Sequence, residues 1–386
     1  VDVLVVAGEA SGDQHAADLV VELRRLRGDL TFHGMGGPRL AKAGVALTHG
    51  AHEISVMGLV EVLPRLPRIL GVLRSLEAGA RARRPACAIL VDVPDFNLRL
   101  APRLKALGIP VVWYVAPMVW AWRAGRTRTL GRVVDQLLCI LPFEEAFLRE
   151  RGVPATYVGS PVLDQVPPAG PPGPFRRALG LDPDRPVLAL LPGSRPGELR
   201  RILPTLIEVG QRVCARRPGT QLAVPVAPGL SLPAVREQFA AAGLPVHLVE
   251  GRAPEVVGAC DVAVVASGTA TLEAGLMRRP LVAVYRLNAL TFWLARLLVR
   301  LPHVCLVNLL AGRGVVPELI QGDFTAARVV AALEPLWEGP VREACLEGLD
   351  EVRASLGAPG ASGRAAAVIA ELLASRPPAG RAPHDG

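Results

Sequence analysis

The chain has 386 residues, of which 51% are hydrophobic and 20% charged, and it carries a net charge of +8. Such a length predicts two or three domains with sizeable cores, and so few charges exclude wholesale disorder. The longest stretches without Asp, Glu, Lys or Arg, 106–122 and 218–235, are interrupted by Pro110 and Pro117 and by Pro218, Pro225, Pro228 and Pro233. Loops and strand ends are expected there, not a membrane-spanning helix.

The chain opens on a short apolar run, 1–7 (VDVLVVA), which suits a buried parallel strand and shows no charged secretory leader. GEASGD (8–13) follows, then a helical stretch at about 13–26. Glycines between a strand and a helix allow close ligand approach, yet the spacing matches neither a dinucleotide fingerprint nor a P-loop. Glu9, Ser11 and Asp13 suit sugar hydroxyls better than phosphate; the plainer alternative is that Ser11 or Asp13 caps the helix.

In 62–76, Val62, Leu66, Leu70 and other apolar residues are interleaved with Arg65, Arg68 and Arg74. Pro64 and Pro67 are expected to split this helix into two pieces. Met57 and Leu59 precede it, and Trp293, Arg296 and Arg300 make a second basic, greasy segment at 290–301. Basic amphipathic helices fit anionic membrane surfaces, and core-facing helices with solvated arginines fit the same pattern.

Runs at 87–91 (CAILV), 111–115 (VVWYV) and 137–141 read as further buried strands, with a helix near 98–107. The second of these four strands ends in DVPDFN (92–97). Asp92 stands on the strand end, where open α/β sheets bind ligands, and is a candidate general base. Asp95 fits a turn or helix cap, and is the second candidate. Residues 166–174 (VPPAGPPGP) read as an interdomain linker with no strand or helix.

Beyond the linker the alternation restarts: strands at 187–191, 221–226, 246–250, 262–266 and 281–285, helices at 198–216, 235–242 and 271–277. LPGSR (191–195) places Arg195 beside a Gly–Ser turn at a helix start, which can clamp a phosphate. In 266–274 (ASGTATLEA), Ser267, Gly268, Thr269 and Thr271 can present backbone N–H groups to a diphosphate, and Glu273, one turn on, can take a ribose diol. The two βαβα halves predict an α/β chain of two Rossmann-like parallel-sheet domains facing across a cleft.

Six cysteines, at 87, 139, 214, 260, 305 and 345, form no CxxC pair and read as buried free thiols of a reducing cytoplasm. His49 and His52 lack the partners of a metal site, and Asp182-Pro183-Asp184 reads as a turn, so no metal is expected. No nucleic-acid-binding pattern is present.

GEASGD (8–13), GMGG (34–37), SVMGLVEVLPR (55–65), DVPDFN (92–97), WYVAPMVWAWR (113–123), LPGSR (191–195), SGTATLEA (267–274) and NLLAGRGVVPELIQ (308–321) together resemble the lipid-A-disaccharide synthases. The resemblance runs in order from residue 1 to about 330. It implies a metal-independent, cofactor-free, inverting GT-B glycosyltransferase of family 19. Its substrates would be UDP-2,3-diacylglucosamine and 2,3-diacylglucosamine 1-phosphate (lipid X), and its products the β-1,6-linked lipid A disaccharide phosphate and UDP.

By that resemblance 1–165 takes the acceptor and lipid, and 175–340 the UDP-sugar, with Arg195 at the diphosphate, Glu273 at the ribose, and Asn308 and Glu318 nearby. Asp92 would be the base, with Glu9, Ser11 and Asp13 lining the cleft. Helices in 341–375 would pack back on the first domain, before a disordered tail at 376–386. Ala116 and Met118 stand where the family usually has small hydroxyl residues. A homodimer, and peripheral attachment to the inner face of the inner membrane, are also implied. Rival readings are a UDP-sugar epimerase on the same scaffold and a non-catalytic, membrane-associated nucleotide-binding protein.

Overall fold

The computed structural model describes residues 1–54, 59–122, 124–288 and 302–375. The chain divides into two compact units, one built from residues 1–161 with 358–386, the other from 162–357.

The first unit is a seven-stranded sheet, all neighbours parallel, in the order β3-β2-β1-β4-β5-β6-β7. Its strands are β1 (Asp2–Ala7), β2 (Thr31–Gly36), β3 (Ala46–Gly50), β4 (Cys87–Val91), β5 (Val111–Tyr114), β6 (Gln136–Cys139) and β7 (Ala155–Tyr157). Successive side chains of a strand face opposite sides. Accordingly Leu4 and Val6 join one core cluster, and Val3, Val5 and Ala7 the other. Both faces are buried, which explains the unbroken apolar runs.

The second unit is a six-stranded parallel sheet, in the order β10-β9-β8-β11-β12-β13. It comprises β8 (Val187–Leu191), β9 (Gln221–Val226), β10 (His247–Glu250), β11 (Val262–Ala266), β12 (Leu281–Tyr285) and β13 (Glu318–Ile320). Four strands, β2, β3, β7 and β13, had no counterpart in the sequence reading. They are short or, in β2 and β3, broken by glycine, histidine and threonine, and so lack an apolar run.

Two proline-based expectations fail. The helix Leu59–Arg83 is continuous through Pro64 and Pro67. Both prolines lie near its N-terminal end, and buried Val72, Leu73, Leu76 and Ala80 anchor the remainder. Residues 172–174 of the expected linker open the helix Pro172–Leu179. The first-turn N–H groups of a helix have no internal partner, so Pro172 and Pro174 forfeit no bond there.

The two last helices part company. Pro340–Ser355 belongs to the second unit; Ala361–Ala374 belongs to the first and packs on the helix Ala10–Leu26. Arg364 fastens that return. Its guanidinium donates to the carbonyl oxygens of Val158 at 2.7 Å, Pro359 at 2.8 Å and Ala358 at 2.8 Å. Among the described residues no helix is long and apolar enough to cross a membrane. The six cysteines are free thiols, five of them buried and Cys214 half-buried.

Candidate active site

Each sheet reverses its strand order once, between β1 and β4 in the first unit and between β8 and β11 in the second. Connections leave in opposite directions at such a point, and the crevice opened at the carboxyl ends of the two strands is where open α/β sheets bind ligands. The motifs 8–13 and 92–97 follow β1 and β4; the motifs 191–195 and 267–274 follow β8 and β11.

In the first unit Ala7 pairs in register with Val91, so Gly8 and Asp92 leave adjacent strands at one level. Their loops touch: a Cβ on Gly8 would lie 2.7 Å from Val93 Cγ2, and one on Gly12 would lie 3.5 Å from Asp92 Cβ. Asp92 is half-buried with φ +54°, followed by Val93 at φ +42°. The left-handed region is costly for such residues, most of all for a β-branched one, and persists only where the surroundings impose it.

Here they do. The Asp92 N–H donates to the Tyr114 carbonyl at 3.2 Å. Buried Asn97 donates Nδ2 to the Asp92 carbonyl at 2.7 Å. The N–H groups of Phe96 and Asn97 both reach the Val93 carbonyl. These bonds all fall on backbone atoms of the turn and hold its conformation. Asp95, in contrast, is exposed on the first turn of the helix Pro94–Ala106 and pairs with Arg126 at 2.6 Å.

Asp13 has another use than lining a ligand site. It is 3% exposed, and its carboxylate accepts the N–H groups of Gly37 at 2.7 Å, Arg39 at 2.9 Å and Leu40 at 3.2 Å. It therefore caps the short helix Pro38–Lys42, and does not cap its own, whose N-cap residue is Glu9. A Cβ on Gly37 would lie 2.6 Å from Asp13 Oδ2, so Gly37 makes room for this carboxylate. Asp13→Ala should cost on the order of 3 kcal/mol, because three donors lose a charged acceptor. Urea denaturation would measure it; an unchanged midpoint would sink the assignment. Glu9 is half-buried with no capping bond, and Ser11 is exposed.

In the second unit Arg195 is the N-cap residue of the helix Pro196–Arg216 and pairs with Glu198 at 3.2 Å. Glu198 is 8% exposed and also accepts the Ser194 N–H at 3.2 Å and the Tyr285 hydroxyl at 3.3 Å. Burial and the adjacent Glu198 charge push the Tyr285 hydroxyl up from its ordinary pKa. Sequence reasoning did not single out Glu198 or Tyr285 as site residues; a glutamate three residues beyond an N-cap is a usable signal for the first.

Gly268 is the N-cap residue of the helix Thr269–Leu276 and has no side chain to occupy the helix end. Gly268 and Thr269 are exposed, and Ser267 is half-buried. Glu273 lies inside that helix, half-buried, and desolvation raises its carboxyl pKa. No side chain among the described residues hydrogen-bonds it, so it is a desolvated acceptor.

Three of the residues expected at the nucleotide also make bonds within the protein. Thr271 is fully buried and donates its hydroxyl to the Gly268 carbonyl at 2.7 Å. Asn308 is 1% exposed; its Nδ2 donates to the Val316 carbonyl and to Glu318, and its Oδ1 accepts the N–H groups of Val315 and Val316. Glu318 also accepts the Val304 N–H at 2.8 Å and faces His303 at 3.4 Å. Thr271 shapes the helix start, and the Asn308–Glu318 pair shapes the loops at 303–304 and 315–316. A sequence cannot distinguish a polar residue aimed at a ligand from one that holds its own loop.

Met57, Trp293, Arg296 and Arg300 lie outside the described residues, as do the side chains of Leu59, Val62 and Arg65. Leu66 is half-buried, Leu70 packs against the core, and exposed Arg68 approaches Glu53 at 3.5 Å. Among the described residues no group of three or more His, Cys, Asp or Glu is arranged to hold a metal, and His49 bonds Ser75 at 2.9 Å.

Residues 3–346 match the family model described as lipid-A-disaccharide synthetase. The lipid-A-disaccharide synthase of Myxococcus xanthus (strain DK1622) is 59% identical over 372 residues, 96% of this chain and 97% of that one. The enzyme of the same name from Geobacter metallireducens is 40% identical over 375 residues, 97% of this chain and 98% of that one. Solved structures share the fold at low identity. The UDP-GlcNAc 2-epimerase of Neisseria meningitidis bound to UDP-GlcNAc has a TM-score of 0.66 at 14% identity, covering 97% of this chain and 100% of its own. The calicheamicin glycosyltransferase CalG4 has a TM-score of 0.62 at 16% identity, covering 97% and 98%.

Proposed function

The chain belongs to the lipid-A-disaccharide synthase family, and from that membership we propose which of its residues carry the reaction. The enzyme is a GT-B glycosyltransferase of lipid A biosynthesis. It condenses UDP-2,3-diacylglucosamine with lipid X, giving lipid A disaccharide 1-phosphate and UDP. A UDP-sugar epimerase and a non-catalytic binding protein, the rival readings of the sequence, are not favoured by this membership.

Asp92 is the general base. It takes the proton of the acceptor 6-hydroxyl as that oxygen attacks the anomeric carbon of the donor, and the bond from that carbon to UDP breaks with inversion. Arg195 and the N–H groups at Gly268 and Thr269 hold the departing diphosphate, whose negative charge grows as the bond breaks. Glu273 accepts the ribose hydroxyls, while Ser267, Thr271, Asn308 and Glu318 keep those loops in shape. Glu9 and Ser11 stand beside Asp92 on the acceptor side. The observation that supports these roles most is that all four motifs follow strands flanking the two order reversals.

The decisive experiment incubates the purified chain with UDP-diacylglucosamine and lipid X and detects the disaccharide by mass spectrometry. Folded protein without product would overturn the reading.

Protonation of Glu273 should oppose UDP. Its pKa is raised in the free protein, and ribose hydroxyls donate to the ionised form, so affinity falls as pH drops through that raised value. Calorimetry with UDP between pH 5 and 8 should show this fall flattened in Glu273→Gln. Identical pH curves in the two proteins would remove Glu273 from the ribose site.

The basic, apolar segment at 62–76 and its counterpart at 290–301 attach the enzyme peripherally to the anionic inner face of the inner membrane. Leu66→Glu should reduce flotation with anionic liposomes; unchanged flotation would discredit 62–76 as the anchor. Resemblance also favours a homodimer, which sedimentation equilibrium would test.

A further inference from the structure

Glu144 is a buried carboxylate that the roles above leave unused. It is 1% exposed, on the helix Pro142–Arg149 that follows β6. One oxygen accepts the Trp120 indole N–H at 3.0 Å; the other accepts the N–H groups of Leu141 at 3.1 Å and Ile140 at 3.3 Å. Phe143 meets the Trp120 ring edge-on, with ring centroids 4.9 Å apart. Trp120 is thereby tied to the next strand's loop by a charge-assisted bond and an aromatic contact.

Trp120 lies on the short helix Val119–Trp122 that follows β5, the strand beside β4. The Tyr114 carbonyl at the end of β5 is the one that holds the Asp92 N–H. The segment between β5 and that helix begins at Val115, a β-branched residue at φ +67°, whose carbonyl accepts the Trp113 indole N–H at 3.1 Å. Left-handed residues thus end two adjacent strands, at Asp92, Val93 and Val115. Strain of this kind clusters at functional sites and needs surroundings that enforce it. Farther along the chain, Arg126 pairs with Asp95 in the first turn after Asp92. Met118, two residues before Trp120, stands 52% exposed.

We infer that Glu144 is a positioning residue for the transfer reaction: through Trp120 it holds residues 115–120, after β5, as the wall of the acceptor site beside Asp92. The inference rests on Asp92 marking the acceptor side of the reaction. Burial pushes the Glu144 carboxyl up to about 7, which agrees with a group kept out of water against a desolvation cost.

The test compares Trp120→Phe, Glu144→Ala and the double variant, all in the full-length chain. Trp120→Phe removes only the indole N–H and a little ring area, so it is the variant expected to fold in any case. The KM for lipid X should rise on the order of tenfold in each, with the KM for UDP-diacylglucosamine and the affinity for UDP unchanged. The double variant should be no worse than Glu144→Ala, since both changes break one link. A folded Trp120→Phe protein with an unchanged lipid X KM would overturn the inference, as would an equal rise in both KM values. An active Asp92→Asn enzyme would instead overturn the base assignment, and a selective lipid X effect in the Trp120 and Glu144 variants would still be read independently of it.

Discussion

Asp92→Asn lowers turnover on the order of 10³-fold while leaving the fold and the affinity for UDP intact. The fold survives because the bonds that hold the strained turn are made by backbone atoms of residues 92 and 93 and by the Asn97 amide. An asparagine keeps those atoms and nearly the shape of the side chain. What it loses is basicity, and a sugar hydroxyl cannot give up its proton to an amide. UDP affinity should survive because Arg195, Gly268 and Glu273, the proposed UDP contacts, belong to the other unit. Steady-state assays with both lipid substrates, beside calorimetry with UDP, separate these effects. Near-normal turnover would eliminate Asp92 and pass the role to Asp95, whose exposed carboxylate is already paired with Arg126.

Arg195→Ala behaves differently. It should lower turnover on the order of 10²–10³-fold, and it should also weaken UDP binding, because a diphosphate interacts with the guanidinium in the bound and the departing state alike. The helix start does not depend on this side chain. Glu198 keeps the Ser194 N–H and the Tyr285 hydroxyl as donors when Arg195 is cut back. Arg195→Lys should recover part of the activity, since an ammonium retains the charge without the bidentate geometry. Loss of turnover with UDP affinity wholly preserved would argue that Arg195 serves the acceptor side.

The strands were legible where both faces of a sheet are covered, because burial on two sides demands apolar runs such as CAILV at 87–91 and VAVVA at 262–266. The position of Asp92 was legible for a related reason: a carboxylate directly after such a run stands at a strand end. Short strands such as β7 and β13 were not, since three residues carry no period. Nor could the sequence separate Asp13 from Glu9. Both sit in one motif, and only the fold brings the 37–40 backbone to Asp13. The internal bonds of Asn308 and Thr271 were hidden for the same reason. The prolines at 64, 67, 172 and 174 misled because their effect depends on where in a helix they fall.

The three bonds of Arg364 bear on how the chain could be engineered. In chain order the second unit interrupts the first, whose chain runs to Pro161, breaks off for 162–357 and resumes at Ala358. The carbonyls gathered by one guanidinium, from Val158 on the outgoing side and from Ala358 and Pro359 on the returning side, bring the two lips of that interruption together. A short splice across them would re-close a single-domain protein around the seven-stranded sheet. The same proximity makes the second unit a cassette, exchangeable as one block with both of its seams at one address.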